Sequence, residues 1–216
     1  MDILPALPTF LLFFGASVTL LLTPGPVVLY IITRSVDQGR PAGLASALAG
    51  ASGNSIHVLA AAFGLSAILS TSAFAFDLVK YIGAAYLVYI GVRTLLTSKP
   101  AEAVAVEPQP LRRIFQQGLI VAIFNPKTAL FFLAFFPQFI DQSHGPDVAR
   151  AQILLLGFIY VCLGLTTDSL YALASGTAGK WLRGNRWFMG FQRYVAGSIY
   201  IGLGLTAAFA PSGSRK

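Results

Sequence analysis

The chain runs for long distances without a charge. From Ile3 to Thr33 there is no Asp, Glu, Lys or Arg, and from Pro41 to Phe76 there is again none. A hydrocarbon core of ~30 Å takes ~20 helical residues to cross, so either run is long enough to span it. A third apolar run lies between Asp77 and Lys99, flanked by Lys80 and Arg93, whose long stems can snorkel to an interface. Ile114–Ile140 is interrupted only by Lys127, Ala151–Gly179 only by Asp168, and Tyr194–Ser214 not at all. The pattern predicts an all-α polytopic membrane protein with six transmembrane helices, roughly 6–32, 43–69, 78–97, 114–139, 150–175 and 191–210.

Composition closes off the alternatives. Of 216 residues only 11% are charged, 56% are apolar, and the mean hydropathy is +0.71. A soluble domain carries charge on about a quarter of its residues. The net charge of +7 sits in short loops and not on one face of a module, so it does not indicate a nucleic-acid partner. The lone Cys162 excludes a disulfide framework and a thiolate metal cage. The first run lacks a basic leader and is too long for a cleaved signal, so it is expected to remain as helix one.

Basic residues set the orientation. The odd-numbered loops carry 10 Lys and Arg, among them Arg34, Arg40, Arg112, Arg113, Lys180 and Arg183, and the opposite side carries 4. Odd loops are therefore expected in the cytoplasm and both termini outside. Ser98–Arg113, rich in Pro and mixed charge, reads as a cytoplasmic linker between a first half (1–97) and a second half (114–216).

The halves resemble each other. Thr23-Pro24-Gly25-Pro26 interrupts helix one, and Asn125-Pro126-Lys127 interrupts helix four 102 positions later. Lys80-Tyr81-Ile82-Gly83-Ala84 in helix three has a counterpart in Arg193-Tyr194-Val195-Ala196-Gly197, 113 positions on. Three helices per half gives two repeats of inverted topology with broken helices 1 and 4, an arrangement common in secondary transporters. A proline within a helix removes a hydrogen bond and clashes with the preceding turn. Gly25-Pro26 and Asn125-Pro126 read as N-cap and first-turn pairs, each opening a new half-helix whose N–H groups favour an anion. The plainer alternative is a pair of packing kinks.

Charged residues at membrane depth cost ~2.5–3.5 kcal/mol at a helix centre and mark pathways. Lys127 and Asp168 can form a buried ion pair. The working assignment gives Asp168 a proton or a substrate ammonium, and Lys127 with the half-helix ends a substrate carboxylate. Asn54 and His57 share a face of helix two. His57 reads first as an interhelical hydrogen bond and second as a proton relay. Arg34 and Arg40 read as cytoplasmic interface anchors, with Arg34 close enough to helix one to gate it. Tyr81, Trp181 and Trp187 fit an interfacial belt, and Cys162 and Met189 packing or lipid contact. The Gly- and Ala-rich helices three and six offer a homodimer face.

No hydrolase triad, zinc helix or P-loop can be assembled, and one Cys, two Met and two His serve a soft metal poorly. No cofactor and no resident metal are expected, and no enzymatic activity. The partners left are the bilayer, protons and a small-molecule substrate.

These residues resemble a known family. Thr23-Pro24-Gly25-Pro26, Arg34-Ser35, Gln38-Gly39-Arg40 and Ala42-Gly43-Leu44 are similar to the opening signature of the LysE/RhtB amino-acid exporters. So are Phe124-Asn125-Pro126-Lys127-Thr128-Ala129-Leu130-Phe131-Phe132, Phe135-Phe136-Pro137-Gln138-Phe139, and Asp168-Ser169-Leu170-Tyr171-Ala172. The resemblance implies proton-driven efflux of amino acids or their derivatives from the bacterial cytoplasm across the inner membrane. It places family motifs on Pro24, Gly25, Pro26, Asn125, Pro126, Lys127 and Asp168. With one intramembrane carboxylate, a small neutral substrate of the homoserine or threonine kind fits better than lysine. The alternatives are an exporter of ions or other metabolites on the same scaffold, and a membrane interaction protein that transports nothing.

Overall fold

The computed structural model describes residues 4–65, 73–96, 108–141 and 145–184, with single helical positions between 194 and 209. All regular structure among them is helical. The helices are α1 (Leu7–Leu22), α2 (Pro26–Gln38), α3 (Arg40–Ala60), α4 (Ala73–Leu96), α5 (Leu111–Ile123), α6 (Pro126–Leu130) and α7 (Pro146–Gly184). α3 runs on as a π-helical turn over Ala61–Leu65, and α6 continues through a π turn, Phe131–Phe135, into a 3₁₀ turn, Phe136–Phe139.

The expected helix one is thus two helices, α1 and α2, bent by 47° at the Thr23–Gly25 break. Helix four is likewise divided at Phe124–Asn125. By length and composition, the Pro146–Thr177 part of α7 is able to cross a membrane alone, and the bent α1–α2 pair is able to do so together. The large apolar side chains left exposed on α1 and α7, such as Leu7, Leu11, Leu12, Phe158 and Leu170, have no place in water and fit a lipid-facing surface.

Several expected boundaries change. α2 reaches Gln38, so Arg34 lies inside a helix and is 5% exposed, not at a loop interface. The first loop shrinks to Gly39, whose φ of +83° suits glycine, and Arg40 already begins α3. Arg112 and Arg113 belong to α5 and not to the linker. α7 extends nine residues past the expected end at 175, placing Lys180 and Arg183 on the helix. Charge marks where a helix leaves apolar surroundings, and the helix itself need not stop there. Most of helix six, most of the linker and both chain ends lie outside the described residues, as do Trp187 and Met189.

α3 lies at the centre, against α2, α5 and α7. Its Ala, Gly and Ser side chains permit close approach, the usual means of packing helices in a membrane. A methyl group on Gly43 would stand 2.9 Å from Ala172 Cβ of α7, and one on Gly53 would stand 3.1 Å from the Ala122 backbone of α5. At the other end, Phe13 of α1 packs edge-on against Phe136 and Phe139 at 5.6 and 5.4 Å, and Phe131 stacks on Tyr160 of α7 at 5.0 Å. This aromatic cluster holds α1, the extended α6 and α7 together.

Candidate functional site

The break in the first helix begins with chemistry. Pro26 has no N–H and cannot continue α1, so Gly25 becomes the N-cap of α2 in extended backbone (φ −133°) with Pro26 at its first turn. A helix end leaves carbonyls without intrahelical partners. Lys127 satisfies this end: its Nζ donates to Thr23 O at 2.7 Å and, beside the Thr23 N–H, to Leu20 O at 2.9 Å. The Tyr171 hydroxyl of α7 donates to Leu22 O at 2.8 Å. Lys127 is 6% exposed and its stem lies along Gly25, where a methyl group would meet Lys127 Cδ at 3.3 Å. A cation at a helix C-terminus also complements the helix dipole.

The second break is built from its own residues. Asn125 caps α6: its side chain accepts from Lys127 N at 3.2 Å, and Nδ2 donates to Thr128 Oγ1 at 3.0 Å. Pro126 follows at the first turn. The same cap that starts α6 therefore orients Lys127, and Lys127 closes the end of α1. The two breaks interlock through one side chain. No side chain caps α2, by contrast, so its first-turn N–H groups stay open.

Asp168 of α7 is 4% exposed. A methyl group on Gly50 of α3 would stand 2.9 Å from Asp168 Oδ2 and 3.1 Å from Val27 Cγ1, so the carboxylate lies over Gly50, next to the open start of α2. Asp168 has no hydrogen-bond partner and no ion pair among the described residues, and feels Lys127 only at a distance. Lys127 spends two of its three donors on carbonyls and none on Asp168, so the ion pair that their charges allow is not made. Asn54, 6% exposed, likewise has no hydrogen-bond partner among the described residues. Its Nδ2 lies against Gly164 of α7, 3.1 Å from where a methyl group would stand.

His57 faces α5. Its Nε2 lies 3.3 Å from Ala122 O of α5, and its ring stacks on Phe132 at 6.3 Å. That is the geometry of an interhelical tie. Pro24, Gly25, Pro26, Asn125, Pro126 and Lys127 gather at the interlocked breaks, with Asp168 and Asn54 on the adjoining α3–α7 face.

A second polar cluster escapes sequence reading. Arg34 Nη2 donates to Gln117 Oε1 at 2.7 Å and to Gln109 Oε1 at 3.4 Å, and Nη1 to Gln38 Oε1 at 3.1 Å. Gln38 Nε2 donates to Gln109 O at 2.9 Å, and Tyr30 Oη to Ile114 O at 2.8 Å. The guanidinium stands 5.4 Å from the Tyr30 ring centroid. Tyr30, Arg34 and Gln38 recur every four residues, a spacing that sets them on one helix face. At the opposite end of α1 a cavity of about 420 Å³ is lined by Leu4, Thr9, Gln138, Asp141 and Gln152 among others.

A helical bundle with exposed apolar sides, broken helices and charges held at the breaks is an integral membrane transporter in type. Residues 18–210 match the family model described as LysE type translocator, and the chain belongs to that family. It is a transporter and not an enzyme. A homoserine/homoserine lactone efflux protein of Salmonella typhimurium (strain LT2) is 28% identical over 195 residues, 90% of this chain and 93% of the relative. Its Salmonella typhi counterpart is 28% identical over the same span. An uncharacterized membrane protein of Pseudomonas aeruginosa is 28% identical over 199 residues, 89% of this chain and 91% of its own. No solved structure matches.

Proposed function

We propose that this chain is a proton-coupled secondary transporter that exports small neutral amino acids of the homoserine or threonine kind. It works as two inverted three-helix repeats, 1–97 and 114–216, joined by the 98–113 linker in a bacterial inner membrane, with both termini outside. The observation that carries the reading is Asp168: a carboxylate buried in the bundle beside the open start of α2, with no bonded partner among the described residues. An unpartnered charge there is costly, and its use as a proton or ammonium acceptor offsets that cost. The substrate ammonium binds Asp168, and its carboxylate faces the uncapped N–H groups of α2. Lys127 holds the break in shape and leaves one donor for the substrate. The names of the two Salmonella relatives support a hydroxylated amino acid or its lactone as cargo.

The ends of the bundle support alternating access. The Arg34 cluster ties α2 to α5 at the mouth assigned to the cytoplasm, while the 420 Å³ cavity lies at the opposite end of α1. The test is Asp168→Asn in proteoliposomes. Homoserine transport driven by an imposed proton gradient should disappear, with the protein still folded by detergent gel filtration. Undiminished transport that still responds to pH sinks the proposal.

A further inference from the structure

The packing of α3 on α7 carries more than a close contact. The two helices run antiparallel: Gly43 meets Ala172, Gly50 meets Asp168, Asn54 meets Gly164 and Val58 meets Gly157, and the two central pairs share one register. Gly164 follows Gly50 by 114 positions, and Asp168 follows Asn54 by the same 114. The crossing is therefore reciprocal. Each helix presents a glycine and, one turn on, a polar side chain, and each polar side chain lies over the other helix's glycine. Any antiparallel pair in register makes reciprocal contacts, and here the residue types match as well, glycine with glycine and Asn54 with Asp168, as a two-fold relation between the helices requires. The equivalent residues differ in one respect, an amide on α3 and a carboxylate on α7. Both are more than nine-tenths buried, and neither has a hydrogen-bond partner among the described residues.

From these observations we propose that Asn54 and Asp168 are the two halves of one substrate site, and that Asn54 is the residue that limits it to substrates with a single ammonium group. The inference rests on the transport reading above and deepens it. Four residues separate the two levels on α3, about 6 Å along the axis. An amino acid whose α-ammonium sits on Asp168 therefore brings its side-chain end to Asn54. The amide both donates and accepts, which matches a hydroxyl. A second ammonium would find a neutral amide in place of a counter-charge, with no compensation for leaving water. The glycines explain why the groups reach the crossing: a methyl group at Gly50 or Gly164 would press on the polar atoms at 2.9 and 3.1 Å.

The experiment measures homoserine and lysine uptake into proteoliposomes by wild type, Asn54→Asp, Asp168→Asn and the exchanged double variant N54D/D168N, each first checked by gel filtration and melting. Asn54→Asp should raise the lysine-to-homoserine ratio by about tenfold or more. The exchanged variant, with one carboxylate moved across the two-fold, should recover transport that Asp168→Asn loses. An unchanged ratio in folded Asn54→Asp overturns the inference. So does an exchanged variant as inactive as Asp168→Asn, a result that stands even where Asn54→Asp does not fold. Wild type that transports homoserine while the variants fail these tests condemns the role of Asn54 alone. Wild type that moves neither amino acid removes the transport reading, and this inference with it.

Discussion

Replacing Lys127 by Met separates two accounts of the buried cation. In the structure its Nζ closes the end of α1 by donating to Leu20 O and Thr23 O, and it makes no ion pair with Asp168. Lys127→Met keeps the length of the stem along Gly25 and removes only the ammonium. Two charge-assisted bonds are lost at ~1.5 kcal/mol each, the lower end of their usual range, and the Thr23 carbonyl is left without a donor while Leu20 O keeps the Thr23 N–H at 3.1 Å. Relief from desolvating the cation offsets part of this, so a net loss of about 2 kcal/mol is expected. For a chain of this length that is a fall of roughly 4–8 °C in melting temperature in detergent. The control is the charge exchange Lys127→Asp with Asp168→Lys. An ion pair survives exchange, whereas a carboxylate at position 127 would face the negative end of α1 and repel it. The exchanged protein should therefore melt below Lys127→Met. Rescue by exchange, or a Lys127→Met melting point within about 1 °C of wild type, would refute the helix-end role.

Two further outcomes follow from the packing. Gly53→Ala drives a methyl group against the Ala122 and Ile123 backbone and should cost ~1–3 kcal/mol, while Gly15→Ala, with nothing within 4 Å, should leave the melting point unchanged or raised. Equal effects at the two sites would contradict the α3–α5 contact. Arg34→Ala removes the donors that join α2 to Gln109 and Gln117, so amide hydrogen exchange over 111–117 should speed up by about tenfold while α3 stays protected. Unaltered exchange there would show that the cluster holds nothing shut.

The sequence makes the two breaks legible because Gly25-Pro26 and Asn125-Pro126 state their backbone chemistry outright: a proline that cannot continue a helix, preceded by a residue that can cap one. Lys127 and Asp168 are equally legible as charges with no place in lipid. Their partners are not. A lysine's choice between a carboxylate and the carbonyl end of a broken helix depends on where the first break lands against the second, and no local pattern encodes that. Arg34 is misread for a related reason. Its charge resembles an interface anchor until three glutamines from two other segments and its own helix surround it. The end of α7 is not legible from charge, because Lys180 and Arg183 lie on a helix that continues past the apolar stretch. The Gly50–Asp168 and Asn54–Gly164 crossing is present in the sequence as an equal spacing of 114. It acquires meaning only once α3 and α7 are seen to pack antiparallel.

The most direct measurement is the accumulation of labelled homoserine in proteoliposomes of the purified protein, with and without an imposed proton gradient. Proton-coupled export predicts accumulation above the equilibrium level when protons are driven in the opposite direction, and its collapse when a protonophore dissipates the gradient. Uptake that only equilibrates and ignores the gradient, or no uptake of homoserine or any other amino acid, would contradict it.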